Sequence, residues 1–87
     1  MVRQVLADSD GTVYMLDQQL SQVHIFSAGG VYLRSIGREG DGPGECRRPM
    51  DLIRLPEGVG LLQAFPARIV AIDLDGNPLS PLELRAR

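Results

Sequence analysis

A glycine-rich stretch, GREGDGPGECRRP at 37–49, is the segment of this sequence in which chemistry would first be sought. Its glycines, carboxylates and arginines would suit a phosphate-binding loop, a metal-binding loop or a connector between two structural units. A Walker-type phosphate loop needs lysine and a hydroxyl residue after its last glycine, whereas Gly44 is followed by Glu45 and Cys46, and the chain contains no lysine. The stretch therefore predicts a connector, in which glycines permit positive φ and two prolines stiffen the crossing.

Four charged residues of this connector are the candidate contacts for a ligand. They are Arg38, Asp41, Arg47 and Arg48. We expect binding at this surface because functional residues concentrate on loops that a rigid scaffold holds in place. Glu45 is expected to form an ion pair with Arg47 or Arg48 and so to hold the crossing.

The other residues that could do chemistry favour structural roles. His24 is the only histidine and lies in an alternating strand pattern without evident partners, which favours packing over catalysis or metal binding. Cys46 is the only cysteine and is expected to be a small buried side chain rather than a reactive thiol. The acidic segments DSDG at 8–11 and DLDGN at 73–77 lack the distal glutamate of a calcium loop and carry the Asp-Gly pair typical of hairpin turns. The sequence thus predicts no catalytic residue, no metal site and no cofactor.

The composition is that of an ordinary globular protein of modest size. Of the 87 residues, 44% are apolar and 23% are charged, and the net charge is −2. This balance gives no electrostatic reason to expect a nucleic acid or an anionic membrane as a partner, and neither is predicted. One cysteine excludes an internal disulfide. The N-terminal residues lack an apolar run long enough for a signal peptide or a membrane helix, so the chain as given is expected to be soluble, with its compartment left open.

Short strand patterns separated by turn residues run along the whole chain. QVLAD, TVYMLD, QVHIFS and VYLRSIG come before the connector, each about five to seven residues long. MDLIRL, VGLLQAF, RIVAIDL and PLSPLEL follow it in the same order. No window shows the apolar stripe of an amphipathic helix. The sequence predicts an all-β fold of two four-stranded antiparallel units at 1–37 and 50–87, joined by a connector at 38–49.

The two halves align as copies of one unit. Gly11 and Gly58 are 47 residues apart (58 − 11), while Gly30 and Gly76 are 46 apart (76 − 30), so one residue is expected to be missing from the second copy. The strand residues matched by this alignment are Leu6 with Ile53, Val13 with Gly60, Val23 with Ile69, Ile25 with Ala71, Phe26 with Ile72 and Leu33 with Leu79.

The strands are apolar on both faces. Within VYML, the side chains of Val13 and Met15 point one way and those of Tyr14 and Leu16 point the other. An antiparallel sheet with one face in water would alternate apolar and polar residues, so both faces are expected to be covered. Four-stranded sheets stacked face to face around an axis are the blades of a β-propeller, whose repeats are about forty to fifty residues long. Each unit is therefore predicted to be a propeller blade.

Four segments carry a resemblance to a known family. SIGREGDGPGE, DSDGTVYMLD, QVHIFSAGG and IDLDGNPL resemble the repeats of NHL-type and related bacterial six-bladed β-propeller proteins. The resemblance covers nearly the whole chain and implies a ring of about six blades. In that family the position of Cys46 commonly holds an aromatic residue that fills the blade interface, and this chain departs from the pattern there. Enzymatic members, such as calcium-dependent lactonases and lyases, hold a metal in the central channel, and no matching ligand set is evident in this sequence.

Two blades are too few to close such a ring. They would leave two apolar faces in water, whereas repeat arrays generally need about three or more units or capping elements. Three copies with cyclic symmetry would supply six blades. The sequence therefore predicts a homotrimer, with a homotetramer of eight blades as the alternative.

The function predicted from this organisation is structural. The chain is expected to be a non-catalytic propeller fragment that self-assembles into a closed ring and acts as a scaffold, with a protein or small ligand bound at its loops or channel. One alternative is that it forms part of a metal-dependent propeller hydrolase or lyase. Another is that it represents two blades of a longer sensor or extracellular protein, without activity of its own.

Overall fold

The computed structural model describes residues 2–64 and 66–79, and in this part of the chain all regular structure is β-strand. The strands are β1 (Val2–Ala7), β2 (Val13–Asp17), β3 (Gln22–Phe26), β4 (Tyr32–Ile36), β5 (Arg38–Glu39), β6 (Glu45–Cys46), β7 (Asp51–Leu55), β8 (Gly58–Ala64) and β9 (Ala67–Asp73). The predicted all-β fold is confirmed.

The first sheet contains β1, β2, β3 and β4 in sequence order, and every neighbouring pair is antiparallel. Val13 lies opposite Phe26, and Met15 lies opposite His24, across the β2–β3 hairpin. β-Branched and aromatic side chains favour such extended positions because they pack well on a pleated surface. The sheet is thus the four-stranded meander that the strand pattern predicts.

The second sheet contains β7, β8 and β9, again antiparallel and in sequence order. Beside β9, Pro78 forms an isolated antiparallel bridge with Ile72. The predicted fourth strand of this unit, PLSPLEL, begins at Pro78 and lies mostly outside the described residues.

The turns that follow β3 and β9 contain the same hydrogen bond at positions 46 residues apart. The Gly30 N–H donates to the Ser27 carbonyl at 2.9 Å, and the Gly76 N–H donates to the Asp73 carbonyl at 3.0 Å. Both glycines have positive φ, 88° and 91°, which residues with a side chain rarely adopt. The predicted spacing of 46 residues (76 − 30) is therefore a repeat of local geometry as well as of sequence.

The first hairpins of the two units do not align as predicted. Strand pairing makes Val59 the equivalent of Val13, 46 residues on (59 − 13), so the predicted match of Val13 with Gly60 is wrong. Gly60 is instead equivalent to Tyr14. The matches that the pairing confirms are Leu6 with Ile53, Val23 with Ile69 and Ile25 with Ala71.

The residue missing from the second unit is absent from the β7–β8 turn, which is one residue shorter than the β1–β2 turn. The two glycines used to align the first hairpins therefore occupy different positions. Gly11 has φ 91° and stands in the turn, whereas Gly58 lies within β8 opposite Leu55. A Cβ at Gly58 would collide with the carbonyl oxygen of Ile72 on the neighbouring strand. Glycine is needed at 58 for close approach of two strands rather than for a turn.

The hydrophobic core lies between the two sheets, which contact each other through one face each. We call these contacting surfaces the inner faces, their contact the inner joint, and the opposite surfaces the outer faces. The buried apolar residues of the core are Tyr14, Leu16, Val23, Ile25, Ile36, Cys46, Leu52, Val59, Leu61, Val70 and Ile72. Burial of such side chains is the main source of folding free energy in a chain of this size.

The connector folds back on itself between the sheets. Its strands β5 and β6 pair in parallel, and the Gly40 N–H donates to the Cys46 carbonyl at 3.2 Å. On β9, Arg68 Nη2 donates to the carbonyls of Gly40 and Glu45 at 3.4 and 2.8 Å. The connector is therefore an ordered loop that is anchored to the second sheet.

Candidate functional site

An ion pair joins the two inner faces. Arg54 Nε on β7 donates to both carboxylate oxygens of Asp8, which follows β1, at 3.1 and 3.2 Å. The Asp8 carboxylate also accepts a 2.7 Å hydrogen bond from the Tyr14 hydroxyl, and the Arg54 guanidinium lies 5.2 Å from the centre of the Tyr14 ring. Arg54 Nη1 donates to the carbonyls of Leu55 and Gly58. One arginine thus joins the ends of four strands by an ion pair, a cation–π contact and backbone hydrogen bonds.

A second polar contact crosses the inner joint at the other end of β1. The side-chain carbonyl of Gln4 accepts a 2.7 Å hydrogen bond from the Leu52 N–H. Arg34 on β4 donates to the carbonyl of Leu74 at 3.2 Å. These bonds tie the edges of the two sheets, while the apolar side chains fill the space between them.

Within the connector, Glu45 binds a different arginine from the two that were predicted. Its carboxylate accepts from Arg38 Nε at 2.9 Å and from the Gly42 N–H at 3.0 Å. The hydrogen bond from Gly42, followed by the nearby Arg38 charge, lowers the pKa of Glu45 against the opposing effect of burial. The prediction of a Glu45 pair with Arg47 or Arg48 is wrong, because the parallel pairing of β5 with β6 sets Arg38 directly beside Glu45.

Arg47 pairs with the other carboxylates of the connector. Its Nε and Nη2 donate to the two oxygens of Asp41 at 2.8 and 3.2 Å, and Nη1 lies 3.4 Å from Glu39. The hydrogen bond to Arg47 lowers the pKa of Asp41 and raises the pKa of Arg47. The Arg47 N–H donates to the buried side-chain carbonyl of Gln63 at 2.8 Å. Two of the predicted contacts, Arg47 and Asp41, therefore bind each other.

Arg48 is the most available cation of the connector. It is exposed, has φ 49° and forms no ion pair with any described residue. A left-handed conformation is unusual for a residue other than glycine, asparagine or aspartate.

An open cleft of about 420 Å³ lies where the connector meets the β2–β3 turn. We call it the connector cleft, and the described residues that line it are Gln18, Glu39, Arg47, Arg48, Met50 and Ala64. Its size is within the range of small-molecule sites. Of the four predicted contacts, Arg47 and Arg48 line this cleft, whereas Arg38 and Asp41 lie outside it.

His24 belongs to a hydrogen-bonded network that sequence reasoning missed. Its Nε2 lies 3.0 Å from Asp17 Oδ2 and its Nδ1 lies 2.6 Å from Ser35 Oγ, which is 2.9 Å from the Tyr32 hydroxyl. With a neutral ring, Nε2–H donates to the carboxylate and Nδ1 accepts from the serine hydroxyl. The pKa of Asp17 is lowered to about 2, first by the hydrogen bond from His24 and further by the one from the Leu20 N–H, against the opposing effect of burial.

This network has the residue types of a serine hydrolase triad but not its arrangement. In such triads Nε2 faces the serine and Nδ1 faces the carboxylate, which is the reverse of what His24 shows. Ser35 lies within β4, directly opposite His24 on β3. Counting equally from the turn would pair His24 with Arg34, and an irregularity in the pairing between Ile25 and Phe26 shifts the register so that Ser35 faces His24 instead. Sequence reasoning could not have found this pair from hairpin register alone.

Cys46 is fully buried in the core, as predicted. Burial raises the pKa of its thiol, so the nucleophilic thiolate is disfavoured at neutral pH.

Acidic side chains at the turns bind backbone amides. Asp73 Oδ1 accepts from the N–H groups of Asp75 and Asn77 at 2.9 and 2.8 Å, and these bonds lower the pKa of Asp73. Among residues 2–64 and 66–79, no three His, Cys, Asp or Glu side chains are grouped so as to hold a metal ion. The same residues include no helix that could cross a membrane.

The outer faces carry apolar residues that are exposed. Val5 on β1 is 53% exposed, whereas its equivalent on the inner face of the second sheet, Leu52, is 1% exposed. Ile69 on β9 is 50% exposed, whereas its equivalent Val23 is fully buried. Equivalent strand positions are thus buried on the inner faces and exposed on the two outer faces.

Comparison with known families gives one match. A family model described as a 6-bladed beta-propeller matches residues 2–85. The chain belongs to this family. Comparison with curated proteins and with solved structures found no match. Membership of the 6-bladed beta-propeller family accounts for the two stacked meanders and for their apolar outer faces, because a blade within a ring packs against a neighbour on each side.

Proposed function

We propose that this chain is a non-catalytic, NHL-type propeller unit that self-associates into a closed ring and acts as a scaffold for binding. One observation carries the proposal: residues equivalent to the buried inner joint are exposed on the outer faces. Leaving side chains such as Val5 and Ile69 in water forfeits the free energy that their equivalents Leu52 and Val23 contribute when buried.

The expected number of copies follows from the family. Each chain supplies two sheets, and a six-bladed ring then takes three chains. Cyclic symmetry lets every outer face meet another, so that no apolar face is left in water. A ring of four chains and eight blades is the nearest alternative.

The connector cleft is the proposed binding surface of the ring. The Arg48 guanidinium forms no ion pair with a described residue, although Glu39 lines the same cleft, and it suits a ligand with an acidic group, such as an acidic peptide side chain. Arg38 and Asp41 do not line the cleft; they form ion pairs with Glu45 and Arg47 and are proposed to hold the connector in shape rather than to contact the ligand.

Self-association is tested by the solution mass of the purified chain, measured by light scattering coupled to size exclusion at several concentrations. The proposal predicts a mass three times the 9.5 kDa of one chain. Four times that mass would replace the six-bladed ring by an eight-bladed one. A chain that stays monomeric at high concentration and unfolds cooperatively would overturn the proposal.

Two aspartate variants make this measurement specific to the outer faces. Ile69→Asp places a charge on the outer face of the second sheet and is expected to yield monomers, because the joint would bury an unpaired carboxylate. Val31→Asp changes a side chain that is 63% exposed but lies in the β3–β4 turn, and is expected to keep the wild-type mass. Equal loss of association in both variants would point to non-specific hydrophobic contact.

A further inference from the structure

Two opposite charges line the connector cleft without pairing with each other. Arg48 forms no ion pair with any described residue, and the contact of the Glu39 carboxylate with Arg47 is long, at 3.4 Å. Arg47 itself is held by Asp41, whose two carboxylate oxygens accept from its Nε and Nη2 at 2.8 and 3.2 Å. Among the described residues, the cleft therefore presents one cation and one carboxylate whose hydrogen-bonding capacity is largely unused.

The backbone that carries Arg48 is fixed on both sides. The Arg47 N–H donates to the side-chain carbonyl of Gln63 at 2.8 Å. On the other side Pro49 is fully buried, and the Met50 N–H donates to a backbone carbonyl of β8 at 2.7 Å. The Arg48 guanidinium is thus carried by a short segment anchored to the second sheet, so a ligand does not have to order that segment in order to bind.

Glu39 is held in place as well. It is the partner of Cys46 in the parallel pairing of β5 with β6, and Cys46 is fully buried in the core. Both charges of the cleft are therefore carried by backbone that is ordered before a ligand arrives.

The cleft continues past the two charges into a second hollow. The apolar side chains of Met50 and Ala64 line the connector cleft itself. A hollow of about 450 Å³ adjoins it and is lined by Gln18, Gln19, Ser21, Glu39 and Arg48. Because Gln18, Glu39 and Arg48 line both spaces, the two charges lie where the apolar space meets the polar one.

We propose that the connector cleft binds a small zwitterion, namely an amino acid or a short peptide with both termini free. This rests on the proposed function, which assigns a ligand with an acidic group to the same cleft. The ligand carboxylate binds the Arg48 guanidinium, and the ligand ammonium group binds the Glu39 carboxylate. An apolar side chain of the ligand packs on Met50 and Ala64, and the Gln18 amide can both donate to and accept from a peptide bond.

A ligand that carries a carboxylate alone suits the cleft less well. Its charge would lie near Glu39 as well as near Arg48, and like charges brought together in one site oppose binding. An ammonium group on the same ligand replaces that repulsion by an attraction. Arg47 does not change this balance, because its charge is compensated by Asp41.

Three forms of one dipeptide test the two charges separately. Leucyl-leucine carries an ammonium group and a carboxylate, its N-acetyl form lacks the ammonium group, and its C-terminal amide lacks the carboxylate. By isothermal titration calorimetry, the purified chain is expected to bind the unmodified dipeptide at least about tenfold more tightly than either capped form. Leucine is titrated alongside: tighter binding of leucine identifies an amino acid as the ligand, and tighter binding of the dipeptide identifies a short peptide.

Two variants assign the charges to their residues. Glu39→Gln removes the carboxylate charge and keeps the size of the side chain, and it is expected to weaken binding of leucyl-leucine by at least about tenfold without weakening that of the N-acetyl form. Arg48→Asn removes the cation and introduces a residue that tolerates φ 49°, and it is expected to abolish the preference for the dipeptide over its amide. Circular dichroism of each variant confirms that it is folded.

Glu57→Gln is the matched control for the loss of one negative charge. Glu57 is exposed in the β7–β8 turn and does not line the cleft or the adjoining hollow. This variant is expected to bind leucyl-leucine as the wild type does. Equal weakening by Glu57→Gln and Glu39→Gln would contradict the contact of the ammonium group with Glu39.

The outcomes separate this inference from the proposed function. An N-acetyl form that binds as tightly as the free dipeptide, and that loses binding in Arg48→Asn, overturns the zwitterion and leaves the binding of an acidic group standing. Absence of binding by all three forms and by leucine contradicts both assignments of the cleft. Self-association is decided separately, by the solution mass of the chain without ligand.

Discussion

The inner joint and the two outer faces occupy equivalent strand positions, yet they differ in exposure and in charge. Leu52 is 1% exposed and its equivalent Val5 is 53% exposed, although both are aliphatic residues of the first strand of a unit. The inner joint also has the Arg54–Asp8 pair, which the outer faces replace by Ala7 and Leu55. The same pattern of strand residues therefore forms the inner joint within the chain and the two exposed outer faces.

This comparison separates the contacts that fold the chain from the surfaces that are proposed to join copies. The inner joint combines apolar burial with directional bonds, so the two sheets are held in one relative position. The outer faces expose apolar side chains and have Leu55 and Ala7 in place of the Asp8–Arg54 pair, although the first sheet also carries Asp17 and His24 on its outer face. Substitutions at equivalent positions should accordingly affect different properties.

The largest expected difference in stability is between an aspartate placed in the inner joint and an aspartate placed at the equivalent position of an outer face. Leu52→Asp buries an unpaired carboxylate in the core and is expected to abolish folding, at a cost of about 4 kcal/mol or more. Val5→Asp places the same carboxylate on an outer face and is expected to leave the fold intact. Circular dichroism and urea unfolding of the two variants measure the difference. Equal loss of structure would show that the two positions are not distinguished by burial.

Breaking the inner ion pair should have the next largest effect. Arg54→Ala leaves the half-buried Asp8 carboxylate without its partner, and we expect a loss of about 2–4 kcal/mol in the free energy of unfolding. The double variant Asp8→Leu with Arg54→Ala gives the inner joint the residues of the outer faces. It should cost less than the sum of the single changes, with a coupling of about 1–3 kcal/mol. Additive losses in a double-mutant cycle would refute a direct interaction.

Asp17, on the outer face of the first sheet, is expected to contribute to the free energy of unfolding in a way that depends on pH. The pKa of Asp17 is lowered to about 2 in the folded chain, so the unfolded chain binds a proton at this group first as the pH falls. Its stabilising contribution is complete above the ordinary carboxyl pKa of about 4 and is lost as the pH falls through about 2. Comparing urea unfolding of wild type and Asp17→Asn between pH 5 and pH 2 isolates this group, because other carboxylates are present in both. A constant difference between the two chains over that range would contradict the prediction.

The exposed ion pairs of the connector should have the smallest effect on the free energy of unfolding. Arg47→Ala removes ion pairs to Asp41 and Glu39, which are well exposed, and is expected to change the free energy of unfolding by less than about 0.5 kcal/mol. Gln63→Ala removes the buried acceptor of the Arg47 N–H and provides the contrast, with an expected loss of about 1–3 kcal/mol. A larger loss for Arg47→Ala than for Gln63→Ala would mean that the connector is held by its surface charges.

Features set by local patterns could be predicted from the sequence. Alternation of side chains and Asp-Gly or Gly-Gly turns predict β2, β3, β4, β8 and β9 and the all-β fold. The repeat of 46 residues was found because Gly30 and Gly76 stand in the same turn. Burial of Cys46 followed from its residue type, since free cysteines usually act as small apolar side chains.

Features set by register and loop geometry could not be predicted in the same way. Gly58 resembles Gly11 in sequence context, but it is required by a close approach of β8 to β9 that only the paired strands reveal. The partner of Glu45 depends on the parallel pairing of β5 with β6, for which two residues of each strand give no pattern. The Arg54–Asp8 pair joins residues 46 apart in the chain and depends on how two sheets stack.

Side-chain footprinting by hydroxyl radicals tests most directly whether the outer faces are covered in solution. Val5 and Ile69 are compared with their buried equivalents Leu52 and Val23 in the same chain at high concentration. The account predicts that both outer residues are protected nearly as strongly as the inner pair, and that dilution to the monomer restores their oxidation. Free oxidation of Val5 and Ile69 at every concentration, with Leu52 and Val23 protected, would contradict the central claim.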